Sequence, residues 1–210
     1  MRAYIFVGGS VNADNIFACP EEDELSIAAD QGYATAKALG ARVDLFVGDM
    51  DSFDGEIDED IEIIKLKTEK DVTDTEAAFE LAIGRGAREI LIIGGLDGRL
   101  DHTLANIYLL EDAKGRGVTA SIEDGRNRVR FIRNDSALIV RSGYRYFGLV
   151  AVDEVVRGVE IDGAKYKLKN AKLTRKNAGF AVSNEITGNC AFVNVKKGGV
   201  FIVESEYKKG

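Results

Sequence analysis

The chain has 210 residues, 45% hydrophobic and 30% charged, with a formal net charge of -7. These proportions belong to a folded chain of one large domain or two small ones, and they exclude wholesale disorder. The acidic balance argues against nucleic acid or an anionic membrane surface as main partner, since both demand a basic face.

The predicted elements alternate at first. Residues 3–7 form an apolar run ending in Gly8-Gly9, and residues 25–29 a second one ending in Asp30. Residues 33–39 are helix formers that stop at Gly40. Strands are expected at 43–47 and 61–66. A helix is expected at 74–83, where Ala77, Ala78, Leu81 and Ala82 recur at helical spacing. Residues 89–93 read as a buried strand closed by Gly94-Gly95, and a helix from Leu100 ends near Gly115. Strands separated by helices predict a mainly parallel sheet covered on both faces. From about residue 118 only strand-sized segments follow, at 118–123, 129–132, 137–140, 146–152, 165–168, 180–183, 191–195 and 200–204. Their regular spacing predicts an all-β sandwich or barrel. The expected organisation is an α/β domain over residues 1–125 and an all-β domain over 126–210.

Rare residues narrow the chemistry. His102 stands alone, and Cys19 and Cys190 are unpatterned, which leaves no Cys/His zinc site and no hydrolytic triad. The cysteines read as small buried hydrophobes in a reducing compartment. The opening MRAYIFVGGS is too short an apolar run for a secretory signal. No apolar stretch approaches the ~20 residues of a membrane span, so a cytoplasmic protein is expected.

In an open parallel sheet, ligands bind beyond the carboxyl ends of the strands. Asp30, Asp49, Asp51, Asp97 and Asp101 all follow predicted strands, and Asp74 opens a helix. Clustered carboxylates repel unless a cation sits among them, and an all-oxygen donor set suits Mg²⁺, which takes one or two carboxylates plus substrate phosphates. The turn around Gly94, Gly95 and Gly98 offers backbone N–H groups ahead of a helix, and Arg99 adds a fork for phosphate oxygens. Acid, metal and phosphate cradle together suit phosphoryl transfer. Structural roles stand beside these. Thr73 and Asp74 suit a helix cap, Asp101 suits another with His102 solvated beside it, Gly94-Gly95 suits a tight turn, and the acidic run 54–60 suits a solvated loop. No P-loop or dinucleotide fingerprint occurs.

The ordered segments Ala29-Asp30-Gln31-Gly32, Gly48-Asp49-Met50-Asp51-Ser52, Lys70-Asp71-Val72-Thr73-Asp74, Gly98-Arg99-Leu100-Asp101-His102 through Asn106, and Ser183-Asn184-Glu185 with Thr187-Gly188 closely resemble the thiamine pyrophosphokinase family. Two departures are Gln31, where that family more often has glycine, and Met50, which commonly corresponds to phenylalanine. The resemblance implies an α/β nucleotide-binding domain with a mainly parallel sheet followed by an all-β sandwich domain, in an ATP- and Mg²⁺-dependent diphosphokinase acting on thiamine that works as a homodimer with active sites at the subunit interface. It implies Asp49, Asp51 and Asp74 as Mg²⁺ ligands with Asp30 nearby, and these three with Asp101 as the catalytic set. It implies Lys70, Thr73, Gly95, Arg99 and Asp101 at the nucleotide. Asp30, Gln31, Ser183 and Asn184 fall to the substrate. An acidic cleft would attract the thiamine cation before any specific contact forms. A non-catalytic nucleotide or thiamine sensor and an Asp-x-Asp nucleotide-sugar glycosyltransferase are the alternative readings.

Overall fold

The computed structural model describes residues 1–17, 19–49, 55–66 and 71–206. The chain divides into two compact units, Met1–Gly125 and Arg126–Gly210.

In the first unit, β1 (Arg2–Val7), β2 (Leu25–Ala29), β3 (Leu45–Gly48), β4 (Glu62–Lys65), β5 (Glu89–Ile93) and β6 (Thr119–Glu123) lie in the order β4-β3-β2-β1-β5-β6. Every pairing among them is parallel. The helices α1 (Gly32–Ala38), α2 (Asp74–Gly84) and α3 (Leu100–Gly115) make the crossovers from β2 to β3, β4 to β5 and β5 to β6. Ala3, Tyr4, Ile5 and Phe6 are consecutive and all buried, so β1 is covered on both faces. On one face Tyr4, Phe6 and Ile93 pack with Ala36 of α1. The close seat of α1 on β1 requires Gly32, because a Cβ there would lie 1.9 Å from the carbonyl oxygen of Phe6.

The second unit is antiparallel throughout. Its strands β7 (Asn127–Arg133), β13 (Gly199–Ser205) and β9 (Tyr146–Ala151) pair in the order β7-β13-β9. The strands β11 (Leu168–Thr174), β10 (Val155–Asp162), β12 (Cys190–Lys197) and β8 (Ser136–Val140) form a second sheet in that order. Both sheets contribute to one apolar cluster, with Phe147, Leu149 and Ile202 from the first and Val156, Ile161, Val193 and Ile139 from the second. Glu204, 2% exposed, accepts hydrogen bonds from Arg128 Nε (3.0 Å), Arg128 Nη2 (2.7 Å) and Arg130 Nη2 (3.2 Å). Two cations thus hold one buried carboxylate and pin β13 to β7, where Glu204 and Arg128 are cross-strand partners. Burial lowers the pKa of the Arg130 guanidinium from its ordinary value, opposed by the charge of Glu204.

Three expectations change. Residues 180–183 are not a strand. Residues Arg175–Ala181 wind into a 3-10 turn, because Asn177 Oδ1 accepts from both the backbone N–H (2.9 Å) and the hydroxyl (2.6 Å) of Thr174 and closes the chain on itself. β10 escapes a period-2 reading because Gly158, at φ +64, inserts a bulge that breaks the alternation and shifts the register against β11. That strand's partner β11 begins at Leu168, so the segment expected at 165–168 is mostly the turn before it. The cysteines also differ from expectation: Cys19 and Cys190 are both free thiols on the surface. Among the described residues no helix is long and apolar enough to cross a membrane.

Candidate active site

Among the described residues, the carboxyl ends of the adjacent strands β2 and β3 carry Asp30 and Asp49. Asp30 follows β2 directly, and its N–H donates to the carbonyl of Val47 on β3 (2.9 Å). Ala29 and Val47 are in register, so Asp30 lies beside Gly48 and one residue from Asp49. A Cβ on Gly48 would stand 3.5 Å from Asp30 Cα. Asp30 has a left-handed backbone, φ +49, a conformation that aspartate tolerates better than most residues. Gln31 is exposed at the start of α1. Asp51 and Lys70 lie outside the described residues.

Asp74 opens α2 behind Thr73, whose hydroxyl accepts from the N–H of Glu76 (3.1 Å). Thr73 is therefore the cap of that helix, and Asp74 in its first turn meets the positive end of the helix dipole. Arg99 and Asp101 pair with each other at the start of α3: Nε to Oδ1 is 3.2 Å and Nη2 to Oδ2 is 2.6 Å. Both side chains are exposed, at 71% and 64%. The Arg99 guanidinium holds the Asp101 carboxyl below the usual carboxylate range.

The glycine turn after β5 spends its donors internally. Gly94 N–H donates to Glu123 O (2.8 Å), Gly95 N–H to Gly8 O (3.2 Å) and Gly98 N–H to its neighbour Asp97 Oδ1 (2.7 Å). Gly95, at φ +71, is clamped by Asn106, whose Nδ2 donates to its carbonyl (3.0 Å). Any phosphate held by these N–H groups has to displace bonds already made. Asn106 is a site-shaping residue that the predicted set omits. Its signal in the sequence is a polar residue on the buried stripe that α3 forms with Leu110 and Ala113.

No group of three or more acidic, histidine or cysteine side chains close enough to hold an ion forms among the described residues. Mg²⁺ does not require one. One or two carboxylates and the substrate's phosphates complete its shell, and Asp30 and Asp49 on neighbouring strand ends supply an all-oxygen donor set of that kind. The residues present fit the ion.

The second unit has a cavity of about 630 Å³, lined by residues that include Tyr146, Gly148, Val182, Ser183, Val203 and Ser205. Ser183 thus reaches a concave surface large enough for a small organic ligand. Asn184 is 3% exposed. Its Oδ1 accepts from Tyr166 N–H (2.9 Å) and Glu185 N–H (3.0 Å), and its Nδ2 donates to Tyr166 O (2.8 Å). Charge is divided unevenly between the units: the first holds 27 of the 35 acidic residues but only 11 of the 28 basic ones. The expected acidic attraction therefore resides in the first unit. A cation bound in the second depends on local contacts there.

Two family models match the chain in the order of its units: "Thiamin pyrophosphokinase, catalytic domain" over residues 19–122 and "Thiamin pyrophosphokinase, vitamin B1 binding domain" over residues 136–200. The class is an enzyme with a catalytic part first and a vitamin-binding part second. The thiamine pyrophosphokinase of Bacillus subtilis is 26% identical over 208 residues, covering 96% of this chain and 97% of the relative. Thiamin pyrophosphokinase 1 of Caenorhabditis elegans is 25% identical, covering 77% and 70%. The crystal structure of the Geobacillus thermodenitrificans thiamin pyrophosphokinase superposes with a TM-score of 0.86 at 26% identity, covering 100% of this chain and 99% of that one. The chain belongs to the thiamine pyrophosphokinase family.

Proposed function

We propose that the protein transfers the diphosphoryl group of ATP to the hydroxyethyl oxygen of thiamine, giving AMP and thiamine diphosphate. The hydroxyl oxygen attacks the β-phosphorus, the bond from that phosphorus to the α,β-bridging oxygen breaks, and the hydroxyl proton passes to water. A loose phosphoryl-type transition state needs no strong base, so none is assigned. Mg²⁺, when bound, neutralises charge building on the phosphate oxygens.

Asp30 and Asp49, with Asp51 and Asp74, hold the ion in this reading. Thr73, Gly95, Arg99 and Asp101, with Lys70, hold the nucleotide. For Arg99 to grip phosphate it exchanges its present partner, Asp101, for the ligand, which keeps the guanidinium oriented until then. Gln31 and Ser183 face the substrate. The observation that carries the proposal is the agreement between the two family models and the two units, with carboxylates gathered at the ligand edge of the first.

Incubation with thiamine, ATP and Mg²⁺ is expected to yield AMP and thiamine diphosphate in equal amounts. Sustained ADP formation without thiamine diphosphate sinks the proposal. Thiamine binding with no AMP at any Mg²⁺ concentration shows a binding module instead.

The reading includes a homodimer acting in the cytoplasm. The opposite charge excess of the two units supports attraction between copies. Sedimentation is expected to give the mass of two chains, falling toward one as salt is raised. A single-chain mass at low ionic strength overturns it.

A further inference from the structure

We infer that Asn184 is a positioning residue, which acts on the ligand of the second unit's cavity only through Ser183. The inference rests on the reading of that cavity as the thiamine site.

Ser183 is one of four non-glycine residues with a positive φ among the described residues, at +59. A left-handed backbone on such a residue is unfavourable and persists only where its surroundings enforce it. The enforcement comes from both neighbours. After it, Asn184 forms an antiparallel bridge with Phe147 on β9, its N–H donating to Phe147 O (2.8 Å) and its carbonyl accepting from Phe147 N–H (2.9 Å). Its side chain then clamps the backbone of Tyr166 from both sides. Before it, Val182 lies on Gly148 of β9. A Cβ at position 148 would stand 3.1 Å from Val182 Cα and 3.3 Å from its Cγ1. Val182 and Ser183 therefore lie flat on β9 because residue 148 has no side chain, and Ser183 stays on the cavity wall.

Substrate contact by Asn184 itself conflicts with its hydrogen bonds. Both lone pairs of Oδ1 are taken by Tyr166 and Glu185 N–H groups, and the side chain is buried. The amino group of an aminopyrimidine would find no free acceptor there, and the remaining Nδ2 N–H belongs to a residue only 3% exposed.

A double-mutant cycle on the full chain tests this. Ser183→Gly keeps the positive φ and removes the hydroxyl, while Asn184→Ala removes the clamp. Each is expected to raise the KM for thiamine about tenfold, the scale of one lost hydrogen bond. The double variant is expected to stay within about twofold of the worse single one, because both changes remove the same contact. The KM for ATP is expected to hold. A double variant near a hundredfold, the product of the singles, shows that Asn184 touches thiamine and overturns the inference.

Asn184→Asp guards against misfolding of Asn184→Ala, since it keeps the size of the side chain and the acceptor for the Tyr166 and Glu185 N–H groups and loses the amide that donates to Tyr166 O. It is expected to raise the thiamine KM several-fold with Ser183 present and to change nothing in the Ser183→Gly background. An unchanged thiamine KM in Asn184→Asp and a folded Asn184→Ala likewise overturns the inference. If the unaltered protein makes no AMP from thiamine and ATP, the functional reading fails, not the positioning of Ser183.

Discussion

Asp49→Asn is expected to lower turnover by at least about a hundredfold, the scale on which loss of one charge or donor at a reacting phosphate registers. The substitution keeps size and shape and removes one negative charge at the end of β3, a half-buried position whose neighbour Gly48 remains paired in the sheet. The fold has no reason to change, so the loss falls on the chemistry. Asp30→Asn offers a parallel test on the adjoining strand, since asparagine also tolerates the left-handed backbone found there. Steady-state AMP formation over a Mg²⁺ titration checks both. Lost activity that partly returns at high Mg²⁺ identifies a weakened ion site. Full activity in Asp49→Asn removes that residue from the site.

Gly32→Ala is expected to destabilise the first unit by about 3 kcal/mol or to prevent its folding. The added Cβ would sit 1.9 Å from Phe6 O, 2.4 Å from Phe6 C and 2.8 Å from Val7 N. These are backbone atoms of the central strand β1, buried on both faces and paired on both edges, and they have no side-chain rotamer through which to yield. Helix α1 would have to lift, which opens its contact with Tyr4 and Phe6. Gly84→Ala is the control: nothing lies within 4 Å of that position near the end of α2, and replacing a helical glycine stabilises by roughly 0.5–1 kcal/mol. Urea unfolding followed by circular dichroism separates the two. Equal midpoints for both variants would show that α1 is not seated as tightly as the distances state.

Much of the first unit was legible in the chain because its signals are local. Buried parallel strands read as short apolar runs closed by glycine or aspartate, and residues 25–29 and 89–93 coincide with β2 and β5 residue for residue. Thr73 announced a helix start through a side chain that bonds three residues ahead. The second unit was less legible, since a bulge at Gly158 hid β10 and a side-chain cap at Thr174 turned a strand-like run into a 3-10 turn.

Composition and spacing alone settled the alternation of strands and helices, the change to short strands, and the placing of aspartates after strands, because each depends on residues within one or two turns of one another. Which partner each polar group takes was decided in three dimensions. Gly95 spends its N–H on Gly8 and Asn184 closes on Tyr166, neither of which periodicity can express. Hydrogen bonds are short-ranged and directional, so their pairing follows from which segments the packing brings to within about 3 Å, and distance along the chain does not encode that.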